Sequence, residues 1–407
     1  MESSAGAECS QKEARMARSI SLCFSHLSDH RGDRGTRHLL SDIMTIAVLS
    51  MLCGGEDFTD MEDFGLARDE WLRTFLKLPA GIPSHDTFGR VFAALDPDSF
   101  EAFFRSWTQA VAGEIAGVLA IDGKTLRRSF DKAGKRSPVH MVSAWASDNG
   151  VVLGQLATDA KSNEITAIPK LLKMLDIKGL IVTIDAMGCQ KEIAKQIVAQ
   201  QGEYVLSVKA NQPALLADIK ETFRWARSRG LEGLKHSESK QTEKGHGRLE
   251  TRHITVLWQL SLVADAAAWA GLACIAELTS TRTIGEITSV EHRYAISNMD
   301  TRRSTELGRA CRAHWGVENG LHWALDVSFD EDHSRARVGC AAENLSRLRR
   351  IALNMLKLET SGTKKRSIER NRFLAALDQD YLIKLLQTAP ANPPPSQNPT
   401  EHRTTLR

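Results

Sequence analysis

No hydrophobic run in this 407-residue sequence is long enough to cross a bilayer as a helix. The longest, Ile43 to Cys53 and Ala266 to Ala276, fall well short of the ~20 residues that a span requires. The opening MESSAGAECSQKEARMARS lacks the apolar core of a signal peptide. Cysteine is scarce and scattered: seven residues, an odd total, with no CxxC pair. That argues against a zinc ribbon and for a reducing, cytoplasmic setting. The HExxH arrangement of metalloproteases is absent. Charge of one sign is not in excess either. Lys and Arg number 53 against 50 Asp and Glu, a net +3, so global charge does not announce a nucleic-acid binder.

What is present is a soluble globular composition, 42% hydrophobic and 25% charged, with length for two or three domains. The distribution of basic residues says more than their total. Arg302, Arg303, Arg309 and Arg312 cluster, and a second group runs from Arg335 and Arg337 through Arg347, Arg349 and Arg350 to Lys364, Lys365 and Arg366. Such a concentration forms either a phosphate-binding face or a solvated helix face.

The most informative stretch is GLIVTIDAMGCQ, Gly179 to Gln190. Leu180 to Ile184 read as a buried parallel strand ending in Asp185, with a helix from Lys191. Val118 to Ile121 repeat the design and end in Asp122-Gly123-Lys124. Ligands of open α/β sheets gather at the carboxyl edge of the strands. Two strands that each deliver an Asp to one edge would suit a hard divalent cation. An Asp in either place also serves as a helix or turn cap.

Before that region, about Leu22 to Val111 is helical in pattern, with breaks at Pro79 and Pro83 and a new start at Asp96-Pro97-Asp98. Phe100, Phe103, Phe104 and Trp107 make a core stripe on its last helix. From Gly117 the pattern turns to strands: Val118 to Ile121, Val139 to Ser147 and Val151 to Thr158, with a hairpin at Asn149-Gly150. A helix N-capped by Ser162, strand Leu180 to Ile184, a helix, and strand Tyr204 to Val208 follow. The expected fold is α/β: a mixed five-stranded sheet with flanking helices in the ribonuclease-H-like order 3-2-1-4-5. That order makes the Asp122 and Asp185 strands parallel neighbours. A β-rich insertion is expected at about 230–300, far longer than a connection needs. Lys240, Lys244, His246, Arg248 and Arg252 line its first part, and Trp258 and Trp269 either stack on a base or fill its own core. Helices resume from Ser304, with further ones over 341–358 and 372–386. Residues 1–24 read as a flexible leader and 389–407 as a disordered tail.

His314, Glu318 and His322 recur every four residues and share one helix face, flanked by Trp315 and Trp323. Taken together, IDGK at Asp122, KSNEI at Lys161, TIDAMGCQ at Asp185, VKANQ at Lys209, HGRLETR at His246 and HWGVENGLHWALDVSFDED at His314 resemble the DDE transposases of the H-repeat-associated insertion-sequence type. GIPSHDTFGRVF resembles the helical domain found in front of that core. The likeness covers roughly residues 25 to 360.

The resemblance implies that Asp122, Asp185 and Glu318 are the catalytic, metal-binding triad and that the metal is Mg²⁺, two ions, with Mn²⁺ as a substitute. It implies metal-dependent cleavage and strand transfer of double-stranded DNA, the partners being the element's terminal inverted repeats and target DNA, with the protein a dimer on DNA. Lys124, Lys161, Lys209, Arg248, Arg309, Arg312 and His314 are the candidate DNA contacts. Related transposases with an inserted β-domain carry a tyrosine, arginine, glutamate, lysine signature around the last acid. Here Cys311, His314 and Leu325 stand in those places, and Arg309, Arg312 and His314 are the local substitutes. The domains are then a helical transposase-associated unit over 25–111, the catalytic domain over 115–365 and a C-terminal helix over 366–388. The rival readings are a nuclease on the same core and a non-catalytic DNA-binding derivative.

Overall fold

The structure is a computed structural model that describes residues 20–32, 36–130, 137–158, 164–245, 247–361 and 366–387. Lys161 and Ser162, His246, Lys364, Lys365, the first 19 residues and the last 20 lie outside them.

The helical segment before the sheet contains α1 (Leu40–Leu52), α2 (Phe58–Ala67), α3 (His85–Ala94) and α4 (Pro97–Ala112). Asp57 caps α2 through a reciprocal capping box with Asp60. Asp96 caps α4 by accepting from the Ser99 N–H, with Pro97 at the first helical position. Phe100, Phe103, Phe104 and Trp107 are all buried, as the stripe indicated.

Nine strands form one sheet. β1 (Val118–Thr125), β2 (His140–Ala146), β3 (Val151–Thr158), β4 (Ile181–Ile184) and β5 (Glu203–Val208) take the expected order β3-β2-β1-β4-β5, with β1–β4 and β4–β5 parallel. The asparagine–glycine turn is present between β2 and β3, with Gly150 at φ +68°. Helices α5 (Glu164–Lys173), α6 (Lys191–Ala199) and α7 (Pro213–Ser228) intervene in the chain.

The insertion corrects the expected sheet size. Its strands β6 (His236–Gly245), β7 (Arg248–Leu257), β8 (Cys274–Ile284) and β9 (Ile287–Ser297) continue the same sheet in the order β5-β9-β8-β7-β6. Tyr294–Ser297 pair antiparallel with Val205–Val208. Left alone, β5 would be an unpaired edge whose buried backbone had no partner. The rest of β9 runs on past the last paired residue of β5. Residues 287–293 therefore extend about 24 Å beyond the carboxyl end of β5 at ~3.4 Å per residue. Trp269 fills neither a small core of the insertion nor a base-stacking position. It is buried in the main cluster with β4, β5 and α6.

After the sheet come α8 (Ser304–Val317), two π-helical turns over Glu318–His322 and Ala324–Ser328, and α9 (Ala341–Leu358). The expected single helix over 372–386 is two, α10 (Ile368–Leu377) and α11 (Gln379–Leu386). Asp378 divides them, because its carboxylate accepts from the Asp380 and Tyr381 N–H groups and restarts the chain as an N-cap. The early helices do not close a core of their own. One cluster joins them to α9, α10, α11 and, through Ala120, Trp145 and Val152, to one face of the sheet.

Arg347, Arg349 and Arg350 are buried, so they do not form the phosphate-binding face that their clustering suggested. Arg347 Nε lies 2.9 Å from Glu101 on α4, and Arg350 Nη1 lies 3.0 Å from Glu331. A buried guanidinium requires such partners.

Candidate functional site

Register places the two aspartates. Ile121 pairs with Ile184 in parallel, so Asp122 and Asp185 leave the same edge side by side. Asp185 Oδ1 accepts from the Met187 N–H at 3.0 Å and the Gly188 N–H at 3.4 Å, which fixes its turn. α8 lies across β1, β4 and β5 and alongside β6 and β7, on the face toward which both aspartates point. Its continuation brings three side chains to that edge. His314 Nδ1 is 3.2 Å from the Thr183 hydroxyl on β4, and His322 Nδ1 is 3.6 Å from Asp122 Oδ2. Glu318 stands exposed between them, at the start of the first π turn. Turns with i→i+5 bonding occur mostly as single-turn bulges inside α-helices and are frequent at functional sites.

Burial pushes the Asp122 carboxyl up to about 7, and the carboxylates of Asp185, Glu164 and Glu318 push in the same direction. That is the signature of an anionic cluster with too little positive charge of its own. Burial lowers His314 below the ordinary imidazole value, against the pull of Asp185. Burial takes His322 down to about 4, helped by the nearby Arg350 and Lys124 charges. Both imidazoles are neutral at pH 7 and do not neutralise the carboxylates. Among the described residues, no three His, Cys, Asp or Glu side chains converge tightly enough to form a closed metal cage as they stand. The set Asp122, Asp185 and Glu318 is open, all oxygen and short of positive charge, which fits a hard divalent cation with retained waters.

Two groups to which the sequence reading gave no role, one of them within the KSNEI motif, crowd the Asp122 strand. His140 Nε2 lies 2.6 Å from Glu164 Oε1, its Nδ1 lies 2.8 Å from the Thr125 hydroxyl, and both residues are buried. A Cβ on Gly123 would fall 2.4 Å from His140 Nε2 and 2.5 Å from Glu164 Oε1. The glycine of IDGK is thus required by close packing. Gly123→Ala is expected to destabilise the protein by about 1–3 kcal/mol and to displace Asp122. Thermal melts and cleavage assays check this, and an unchanged melt would mean that the pair moves aside freely. The signal for the pair lay in the KSNEI motif, which ends one residue past Glu164; nothing near His140 marked it.

The candidate DNA contacts are scattered. Lys124 is buried and ion-paired to three carboxylates. Arg309 Nη2 lies 2.8 Å from Asp148, Arg312 pairs with Glu243, and Arg248 Nε lies 3.1 Å from Glu250. Lys209 is exposed just past the end of β5; its carbonyl accepts from the Gln212 N–H at 3.0 Å, and its ammonium lies near enough to Glu291 to help hold that carboxyl down. Cys311 is packed away, its thiol pushed by burial up to about 12, and Leu325 is fully buried, so neither reaches a phosphate.

The structure thus has a mixed sheet with two aspartates at the ends of adjacent parallel strands and a glutamate on the helix that crosses them. The chain belongs to the DDE transposases, in their H repeat-associated group. The model of the transposase DDE domain matches residues 114–355, and that of the DDE_Tnp_1-associated domain matches 22–108. The chain is 41% identical over 368 residues to "Putative transposase YncI" of Escherichia coli O157:H7, covering 89% of this chain and 93% of that one. It is 39% identical over 369 residues to "H repeat-associated putative transposase YhhI" of Escherichia coli K12, covering 89% and 96%. A structure titled as a piggyBac transposase synaptic complex with hairpin DNA aligns at a TM-score of 0.40 and 14% identity, over 95% of this chain and 80% of that one. That score is too low to carry an argument. No helix among the described residues is long and apolar enough to cross a membrane.

Proposed function

We propose that the protein is an insertion-sequence transposase that cuts and joins DNA, with Asp122, Asp185 and Glu318 holding Mg²⁺ on a ribonuclease-H-like core. The observation that carries this is the level placement of Asp122 and Asp185 under the Glu318 turn. Divalent ions bound there supply charge stabilisation for in-line displacement at phosphorus, and Mn²⁺ would substitute. The residues of the chain do the positioning. Asp122 and Asp185 are fixed by strand register, and His314 and His322 remain neutral beside them. A chain with one such site serves both steps: water frees a 3′-hydroxyl at the element end, and that hydroxyl attacks target DNA.

The partner is double-stranded DNA, the element's terminal inverted repeats and a target, engaged by a dimer in the cytoplasm or on the nucleoid. The strands β6 to β9, which stand about 24 Å past the carboxyl end of β5, offer a wall beside approaching DNA. Lys209 is the phosphate contact best supported, being exposed at the same edge with no salt bridge among the described residues. Lys209→Ala is expected to weaken binding to all DNA sequences about equally and to reduce the salt slope by about one ion. Arg248, Arg309 and Arg312 would contact phosphate by exchanging their present carboxylate partners.

The test is Mg²⁺-dependent cleavage of end-bearing DNA and its joining to a second duplex, together with a rise in melting temperature on adding Mg²⁺. Cleavage without joining would make the protein a nuclease. Neither cleavage nor a Mg²⁺-dependent melt would leave a DNA-binding derivative.

A further inference from the structure

Lys124 sits two residues past Asp122 on the same face of β1. Its ammonium lies 2.6 Å from Asp326 Oδ1, 2.9 Å from Asp332 Oδ1 and 3.3 Å from Glu331 Oε2. The lysine is only 8% exposed and Glu331 is fully buried. Asp326 belongs to the second π turn, eight residues after Glu318, and Glu331 and Asp332 follow it. Glu331 is anchored behind by Arg350 Nη1 at 3.0 Å and the Ser346 hydroxyl at 2.9 Å, both on α9. Arg127 Nε reaches Asp332 at 3.2 Å. Asp326, Glu331 and Asp332 thus enclose the Lys124 ammonium, with Arg127 and Arg350 paired to them and the buried Arg349 acting on Glu331, so the lysine head is turned into the protein and not offered to a phosphate.

We propose that Lys124 is a positioning residue and not a DNA contact: clasped by Asp326, Glu331 and Asp332, it locks the segment after the Glu318 turn onto the end of β1 and so sets the separation of Glu318 from Asp122. This rests on the reading of Asp122, Asp185 and Glu318 as the metal-binding triad. Both ends of the clasp are short. The strand allows Asp122 and Lys124 little independent movement, and the π turns join Glu318 to Asp326 without a loop. Any slackening of the clasp is therefore passed to the triad. Burial raises the Glu331 carboxyl, but Arg350 and Lys124 hold it down at about 2.

The experiment compares full-length parent, Lys124→Met, Lys124→Arg and Lys124→Met/Asp326→Asn. Each is measured for melting temperature with and without Mg²⁺, for the Mg²⁺ concentration that half-saturates that melting shift, for the salt slope of DNA-end binding, and for cleavage. Lys124→Met is expected to need at least several-fold more Mg²⁺ and to cleave at least tenfold more slowly at saturating DNA, with an unchanged salt slope. The double variant, which removes one orphaned carboxylate, recovers part of the Mg²⁺ response. Lys124→Arg keeps the charge but replaces a compact ammonium by a planar fork. It is expected to fold and still show the shifted Mg²⁺ requirement, so the proposal remains exposed to refutation if Lys124→Met fails to fold. A salt slope lower by about one with a parental Mg²⁺ requirement would overturn the proposal and make Lys124 a phosphate contact. Folded variants that match the parent in every measurement would overturn it as well. A parent with no Mg²⁺ response at all would sink the triad reading itself, which is a separate failure.

Discussion

Asp122→Asn should abolish strand cleavage while leaving the fold and DNA binding in place. Losing a metal ligand removes several kcal/mol of transition-state charge stabilisation, on the order of 10³-fold or more in rate. The fold should survive because the substitution conserves size and removes a charge from a cluster already short of positive partners. Asp185→Asn should behave alike, since an amide oxygen can still accept from the Met187 and Gly188 N–H groups. Glu318→Gln lies on an exposed turn and should not change the melt. All three variants should also lose the melting shift that Mg²⁺ gives the parent. Cleavage at the parental rate in Mg²⁺ by any one of them would remove that residue from the triad.

The largest stability effect is expected at the pair Glu101–Arg347. Both side chains are fully buried. Glu101 also accepts the Gln155 N–H of β3 at 2.8 Å, and Arg347 holds Glu343 at 2.6 Å. The pair therefore ties α4, β3 and α9 at one point. Removing one partner strips a fully buried charge of its main counter-ion, leaving Glu101 only Arg105 at 4.0 Å or Arg347 only Glu343, at a cost of about 3–5 kcal/mol. Arg347→Met and Glu101→Gln should each lower the denaturation midpoint strongly. Glu101→Gln/Arg347→Met together should cost less than the sum of the two, because neither charge is then orphaned. Additive effects in that cycle would show that the two residues act independently. The same arrangement predicts that a chain lacking residues 20–112 will not fold, because α9 would expose the apolar face it buries against α1, α3 and α4.

The sequence by itself determined the strands that carry Asp122 and Asp185 and their neighbouring order. A short apolar run that ends in an acid is a local signal, and the β-α-β pattern leaves few topologies. It determined the helix that leads to Glu318 from the four-residue recurrence of His314, Glu318 and His322, though not the π turn in which Glu318 sits, and six motifs in order named the family. It did not determine what the charged residues face. Arg347 and Arg350 look like surface arginines in a helix of mixed pattern. They are interior because Glu101 and Glu331, distant in sequence, arrive at the same places. Lys124 reads as a phosphate contact until the acids after the π turns close on it. Local period tells which face of an element is apolar, whereas counter-ions come from any part of the chain. The insertion makes the same point. Its alternation was legible as strands, but only the open edge of β5 decided that those strands would extend the sheet to nine, next to the edge that carries Asp122 and Asp185.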